Sequence, residues 1–236
     1  MQRTYTLSEL STFLRRPERE LKTLAEKGVL HGRVRQGEWV FDLPSVAEWM
    51  EEEITRADLA MSKKLENAVA NASDEILDDD NFLRNMMSVD LIDLQFAART
   101  KASALSRMAL LAENCGRLWD AAAMTNALRE REEMSSTAFD EGFAILHPRR
   151  PQPDILPENF LAVGISPGGI PFGAARGSRT KVFFLLCCQS DESYLRALGR
   201  LTRILKHPGF LDQLLECKTP FETLNLFEDA ETATLD

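Results

Sequence analysis

The stretch MSSTAFDEGFAILHPRRPQPDILPENFLAVGISPGGIPFGA, residues 134–174, decides how the larger part of this chain is read. Its apolar run Phe143-Ala144-Ile145-Leu146 has the length and composition of a buried strand and ends on a histidine, His147. Hydroxyls stand upstream (Ser135, Ser136, Thr137), and the cations Arg149 and Arg150 follow close behind. A transient phosphoryl acceptor needs that combination. The imidazole attacks, while guanidinium and backbone N–H donors hold the equatorial oxygens of the group in flight. Taken without its surroundings, a lone histidine at a strand end is more often a satisfied structural residue.

Working outward, apolar strand runs recur at Phe160 to Ile165 and Lys181 to Cys188, and Val89 to Phe96 reads as an earlier strand. Helical periodicity covers Lys101 to Cys115, ending at Gly116, then Trp119 to Glu132 and Ser193 to Lys206. A helix pair around Phe210 to Glu216 and Pro220 to Phe227 closes the chain. This alternation predicts a mixed α/β domain in two or three layers. Ser166-Pro167-Gly168-Gly169 lacks a GK[ST] ending and a following helix, so it reads as a hairpin turn and not as a phosphate cradle.

Several blocks together carry a resemblance. Arg131 to Thr137, Gly142 to His147, Ala162 to Ile165 and Gly169 to Phe172 occur in the order found in the enzyme IIA domain of the bacterial phosphotransferase system, fructose/mannitol/nitrogen-regulatory type. The resemblance spans roughly Leu83 to Phe227. It implies the mixed-sheet α/β sandwich of the fructose-type enzyme IIA fold, with His147 as phosphoryl acceptor from an HPr-like phosphocarrier. Around it, Ser136, Thr137, Arg149 and Tyr194 complete the expected site.

Two departures from the family pattern bear on chemistry. Leu146 stands where the family usually has proline, and Pro148 follows the histidine, which biases His147 toward extended backbone and removes one N–H donor beyond the ring. Tyr194 occupies the place of a second histidine. A phenol can donate to a phosphoryl oxygen but is neutral at pH 7. Weaker stabilisation or slower transfer is the expectation. Asp140 and Glu141 either orient the imidazole or form a solvated turn.

Composition narrows the remaining classes. With 236 residues and 44% hydrophobic content, the chain can build two modest cores. A formal charge of −9 opposes wholesale attraction to nucleic acid, so DNA contact requires a local basic patch. No secretory h-region or membrane-length apolar run is present, which predicts a cytoplasmic protein. Cys115, Cys187, Cys188 and Cys217 lack metal-ligand spacing, so no metal or cofactor is expected, and Cys187-Cys188 reads as a buried pair of reduced thiols.

The first fifty residues follow a different plan. Thr6-Leu7-Ser8-Glu9 is a capping box opening a short helix; Pro17 starts a second one that stops at Gly28. Val34, a Gln36-Gly37 turn and Trp39-Val40-Phe41 suggest a two-stranded wing, and Pro44 opens a third helix. This order resembles the excisionase-type winged helix-turn-helix of the MerR superfamily. Arg15, Arg16, Arg19 and Lys22 would lie on or just before the recognition helix, with Arg33 and Arg35 on the wing, all in reach of DNA. Basic side chains exceed acidic ones by only three over residues 1–41, eight against five, which leaves a protein-binding module as the alternative.

The domains expected are therefore a winged helix-turn-helix over 1–52, a helical, acidic linker over 53–81 and a IIA-like domain over 82–236. The third helix, prolonged across 44–70, would either pair with its twin in a homodimer or act as a solvated spacer. The functional expectation is a phosphotransferase-linked regulator coupling the state of His147 to DNA or partner binding. The alternatives are a non-transferring interaction scaffold and a phosphocarrier for a separate sugar-transport subunit.

Overall fold

The computed structural model describes residues 4–14, 16–42, 44–46, 48–50 and 82–235. Arg15, the linker, its aspartate run and the 44–70 dimer helix beyond residue 50 lie outside the described residues. Contacts divide the chain into two compact units, one of residues up to 78 with Leu195–Arg203, the other of the remainder.

In the first unit, strand β1 (Thr4–Thr6) leads into helix α1 (Leu7–Leu14). Thr6 N–H donates to Glu9 at 2.8 Å and Glu9 N–H to the Thr6 hydroxyl at 3.3 Å, which is the reciprocal cap the sequence encodes. Helix α2 (Glu18–Glu26) ends before Gly28, whose φ of 70° halts it. Strands β2 (Arg33–Arg35) and β3 (Glu38–Asp42) form a hairpin around Gln36 and Gly37, both at positive φ, and the sheet order is β1-β3-β2. Residues 44–46 and 48–50 are helical, and Leu10, Leu21, Leu30, Phe41 and Val46 are fully buried.

The second unit is built on a mixed four-stranded sheet of order β4-β6-β7-β5, comprising β4 (Ile92–Asp93), β5 (Phe143–Leu146), β6 (Phe160–Pro171) and β7 (Arg179–Cys187). Strands β4 and β6 run parallel, β6 and β7 antiparallel, and β7 and β5 parallel. Side chains of β7 alternate between two cores. Phe183 packs on Phe96 and Phe172, toward helices α4 (Lys101–Asn114) and α5 (Ala121–Met134). Its neighbour Phe184 meets Phe227 of the C-terminal helix α8 (Pro220–Leu235), which also touches Phe210 of α7 (Phe210–Glu216). Burying each of these rings stabilises the fold by about 2–3 kcal/mol, so β7 joins the two helical layers. The unit's remaining helix is α3 (Phe82–Asn85), while α6 (Asp191–Leu205) has its residues Leu195–Arg203 grouped with the first unit.

Gly164 of β6 lets α4 approach the sheet closely. A Cβ there would meet Met108 Sδ at 2.8 Å and the Phe96 ring at 3.0 Å. Buried Glu231 of α8 accepts from the N–H groups of Leu83 and Arg84 at 2.8 and 2.7 Å, closing the unit's first helix against its last.

Three expectations need correction. The run Val89 to Phe96 is not one strand: Val89–Leu91 is a 3-10 turn, and β4 stops at Asp93 because its carboxylate accepts from Gln95 N–H at 2.9 Å, turning the chain. Ser166 to Gly169 is not a hairpin turn but an irregularity inside β6, between Ile165 and Ile170. Arg179 of the facing strand donates to the Gly168 and Gly169 carbonyls at 3.0 and 2.7 Å, supplying the partners the ladder loses there. The closing helix runs to Leu235, eight residues beyond the expected end at Phe227.

Candidate functional site

Helix α5 and strand β5 create the site. Asp120 caps α5 by accepting from Ala123 N–H at 2.8 Å, and Arg131 falls in the last turn, where a cation suits the helix dipole. After the helix, Thr137 and Ala138 run beside β5: Ile145 N–H donates to the Thr137 carbonyl at 3.2 Å, and Ala138 bridges Ala144. The fully buried run Phe143–Leu146 then delivers His147 beyond the strand end.

Both ring nitrogens of His147 have partners. Nδ1 lies 3.0 Å from the Ile145 carbonyl, which can only accept, so Nδ1 carries the proton. Nε2 receives the Nε–H of Arg131 at 3.0 Å. A guanidinium can only donate, so Nε2 presents its lone pair. The two contacts specify one neutral tautomer, the nucleophilic form with Nε2 free of protons. Arg131 Nη1 also donates to the Ser135 carbonyl at 3.1 Å, which steers the guanidinium. The histidine is 4% exposed, and the ring of Tyr194 (8% exposed) stands 5.2 Å from it, centroid to centroid.

The other expected site residues are dispersed around this pair. Thr137 is buried, and its hydroxyl donates to Glu132 at 2.7 Å. Ser136 faces the Phe172 carbonyl at 3.5 Å, next to Gly173, where a Cβ would come within 2.9 Å of the serine Oγ. Arg149 is exposed on the loop after Pro148. Asp140 accepts from Arg176 N–H at 2.7 Å in the turn that joins β6 to β7, and Glu141 is exposed. Arg131 is the partner that sequence reasoning did not single out, although it opens the first block of the resemblance.

In the first unit, Arg16 lies 5.2 Å over the Trp49 ring and pairs with Glu20 at 3.5 Å, so its guanidinium is tied to the unit's own structure. Arg19, Lys22, Arg33 and Arg35 are exposed, with Lys22 4.0 Å from Glu26 and Arg33 3.5 Å from Asp42. Among the described residues, no helix is long and apolar enough to cross a membrane.

The second unit has the fold of a phosphotransferase IIA domain. It aligns with the crystal structure of nitrogen regulatory protein IIA-Ntr from Neisseria meningitidis at a TM-score of 0.56 and 18% identity, over 61% of this chain and 97% of that one. Residues 85–230 match the family described as phosphoenolpyruvate-dependent sugar phosphotransferase system, EIIA 2, and the chain belongs to that family. A fructose-specific EIIA component from Haloferax volcanii is 30% identical over 133 residues, 56% of this chain and 84% of the relative. A fructose-specific EIIABC component from Bacillus subtilis is 27% identical over 139 residues. That match covers 58% of this chain but only 21% of the larger relative.

Proposed function

We propose that the chain is a cytoplasmic, phosphotransferase-linked regulator whose His147 accepts a phosphoryl group from an HPr-like phosphocarrier. The observation that carries this reading is the Nε2 lone pair, fixed by the Ile145 carbonyl and met by Arg131 Nε–H at 3.0 Å. In the transfer, Nε2 attacks phosphorus as the bond to the carrier's phosphohistidine breaks. Arg131 gives up Nε2 and turns its planar fork to the phosphoryl oxygens. Arg149 and the Tyr194 hydroxyl would supply further donors.

The first unit is, in this reading, a winged helix-turn-helix of the excisionase type that binds DNA. Supporting it are the helix pair α1 and α2, the β2–β3 hairpin and the exposed cations Arg19, Lys22, Arg33 and Arg35. Phosphorylation adds nearly two negative charges at the IIA domain and would shift partner or DNA binding.

Burial of His147 and its contact with Tyr194 favour a second reading, a non-transferring scaffold. Incubation with phosphorylated carrier separates the two. An acid-labile adduct on the wild type that disappears in His147→Ala supports the acceptor; no adduct on the wild type supports the scaffold.

A further inference from the structure

Glu132 is a buried carboxylate that the proposed transfer does not use. Its side chain is 3% exposed and receives Lys101 Nζ at 3.0 Å, Thr137 N–H at 3.1 Å and the Thr137 hydroxyl at 2.7 Å. The Lys101 side chain is 40% exposed, so solvent screens its attraction while Glu132 still bears the cost of desolvation, and the pair yields little net stability. Lys101 is also the first residue of α4, where a cation opposes the helix dipole, so helix stability does not explain its place.

The wiring of the neighbours does explain it. Along one path, Glu132 holds Thr137, whose carbonyl accepts from Ile145 N–H, and the Ile145 carbonyl in turn holds Nδ1 of His147. Along the other, Glu132 follows Arg131 on the last turn of α5, and Arg131 holds Nε2. One ring nitrogen is therefore tied to this carboxylate through hydrogen bonds, and the partner of the other is the residue just before it in the helix. We propose that Glu132 is a positioning residue that sets the register between the Arg131 guanidinium and His147 Nε2. This rests on the reading of His147 as acceptor only for its consequence on transfer; the positioning itself is measurable without any phosphoryl group.

The test uses the full chain labelled with nitrogen-15, as wild type, Glu132→Gln, Thr137→Val and Arg131→Ala. Two readouts report on the pair: solvent-exchange protection of the Arg131 Nε–H and the nitrogen shift of His147 Nε2. In Glu132→Gln, the backbone amide spectrum should persist away from the site. Arg131 Nε–H protection should fall about tenfold, the weight of one lost hydrogen bond, and the Nε2 shift should move toward its Arg131→Ala value. Folded Glu132→Gln with both readouts at wild-type values overturns the proposal. If Glu132→Gln does not fold, Thr137→Val removes only the 2.7 Å hydroxyl contact and carries the same two outcomes. A wild type that resists phosphorylation, while Glu132→Gln still loosens Arg131, supports the positioning role and overturns the acceptor reading.

Discussion

Nε of Arg131 sits 3.0 Å from Nε2 of His147, so the nitrogen proposed as phosphoryl acceptor is covered by a hydrogen bond. In the proposed transfer the contact would do two jobs in sequence: hold the reactive tautomer, then release a guanidinium already placed beside the incoming charge.

Arg131→Ala should therefore slow phosphoryl incorporation by about 100-fold or more, the typical weight of one preorganised donor at a developing charge. Arg131→Lys should recover only part of this, because an ammonium keeps the charge without the planar fork. Initial rates of label incorporation check both, and a wild-type rate in Arg131→Ala would contradict the role.

Tyr194→Phe keeps the ring packed 5.2 Å from His147 and deletes the phenol. If the hydroxyl donates to a phosphoryl oxygen, the variant should transfer several-fold more slowly, by about 1 kcal/mol for a single hydrogen bond. Tyr194→His should transfer faster than wild type, most clearly at low pH, where an imidazolium adds charge that a phenol lacks. Equal rates for all three proteins would show that position 194 only packs.

Much of this arrangement is legible before any coordinates. Four apolar residues ending on His147, the Thr6 to Glu9 cap and the Gln36-Gly37 turn each encode their structure locally, and each forms as read. Non-local partners escape such reading. Val89 to Phe96 looks like a strand, but the Asp93 carboxylate ends it by capturing Gln95 N–H. Ser166 to Gly169 has turn composition, yet Arg179 on the facing strand keeps the segment inside β6. Arg131 resembles any charged residue on a helix face. Only the return of the chain through Thr137 and β5 brings it to a histidine sixteen residues later, whereas Arg149, two residues from that histidine, is exposed.

Gly164→Ala should destabilise the second unit by about 1–3 kcal/mol, the usual cost of overpacking a core. The added methyl would press on Met108 and on the Phe96 ring between β6 and α4. Urea unfolding measures the loss; an unchanged midpoint would mean that α4 yields without cost.

Burial pushes the thiols of Cys187 and Cys188 above their ordinary value of 9.0. The folded state keeps them protonated after the unfolded chain has begun to ionise. Their contribution is fully present below pH 9 and is lost as the pH rises beyond it, by up to about 1.4 kcal/mol per thiol per pH unit. Urea melts at pH 8 and pH 10 should show a smaller drop for the Cys187→Ala, Cys188→Ala variant than for wild type.

On the first unit, replacing Arg19 and Arg35 together by alanine should reduce the slope of log affinity for duplex DNA against log salt by about 2, one for each phosphate contact. Arg16→Ala should act differently, costing about 1 kcal/mol of stability through its lost contact with the Trp49 ring. An unchanged salt slope in the double variant would remove the proposed DNA face.

The most direct measurement is phosphorus NMR of the chain after exposure to phosphorylated carrier. The account predicts a phosphohistidine on His147 with phosphorus bound to Nε2, absent from His147→Ala. A signal assigned to an Nδ1-linked phosphohistidine, or no phosphohistidine at all, would contradict it.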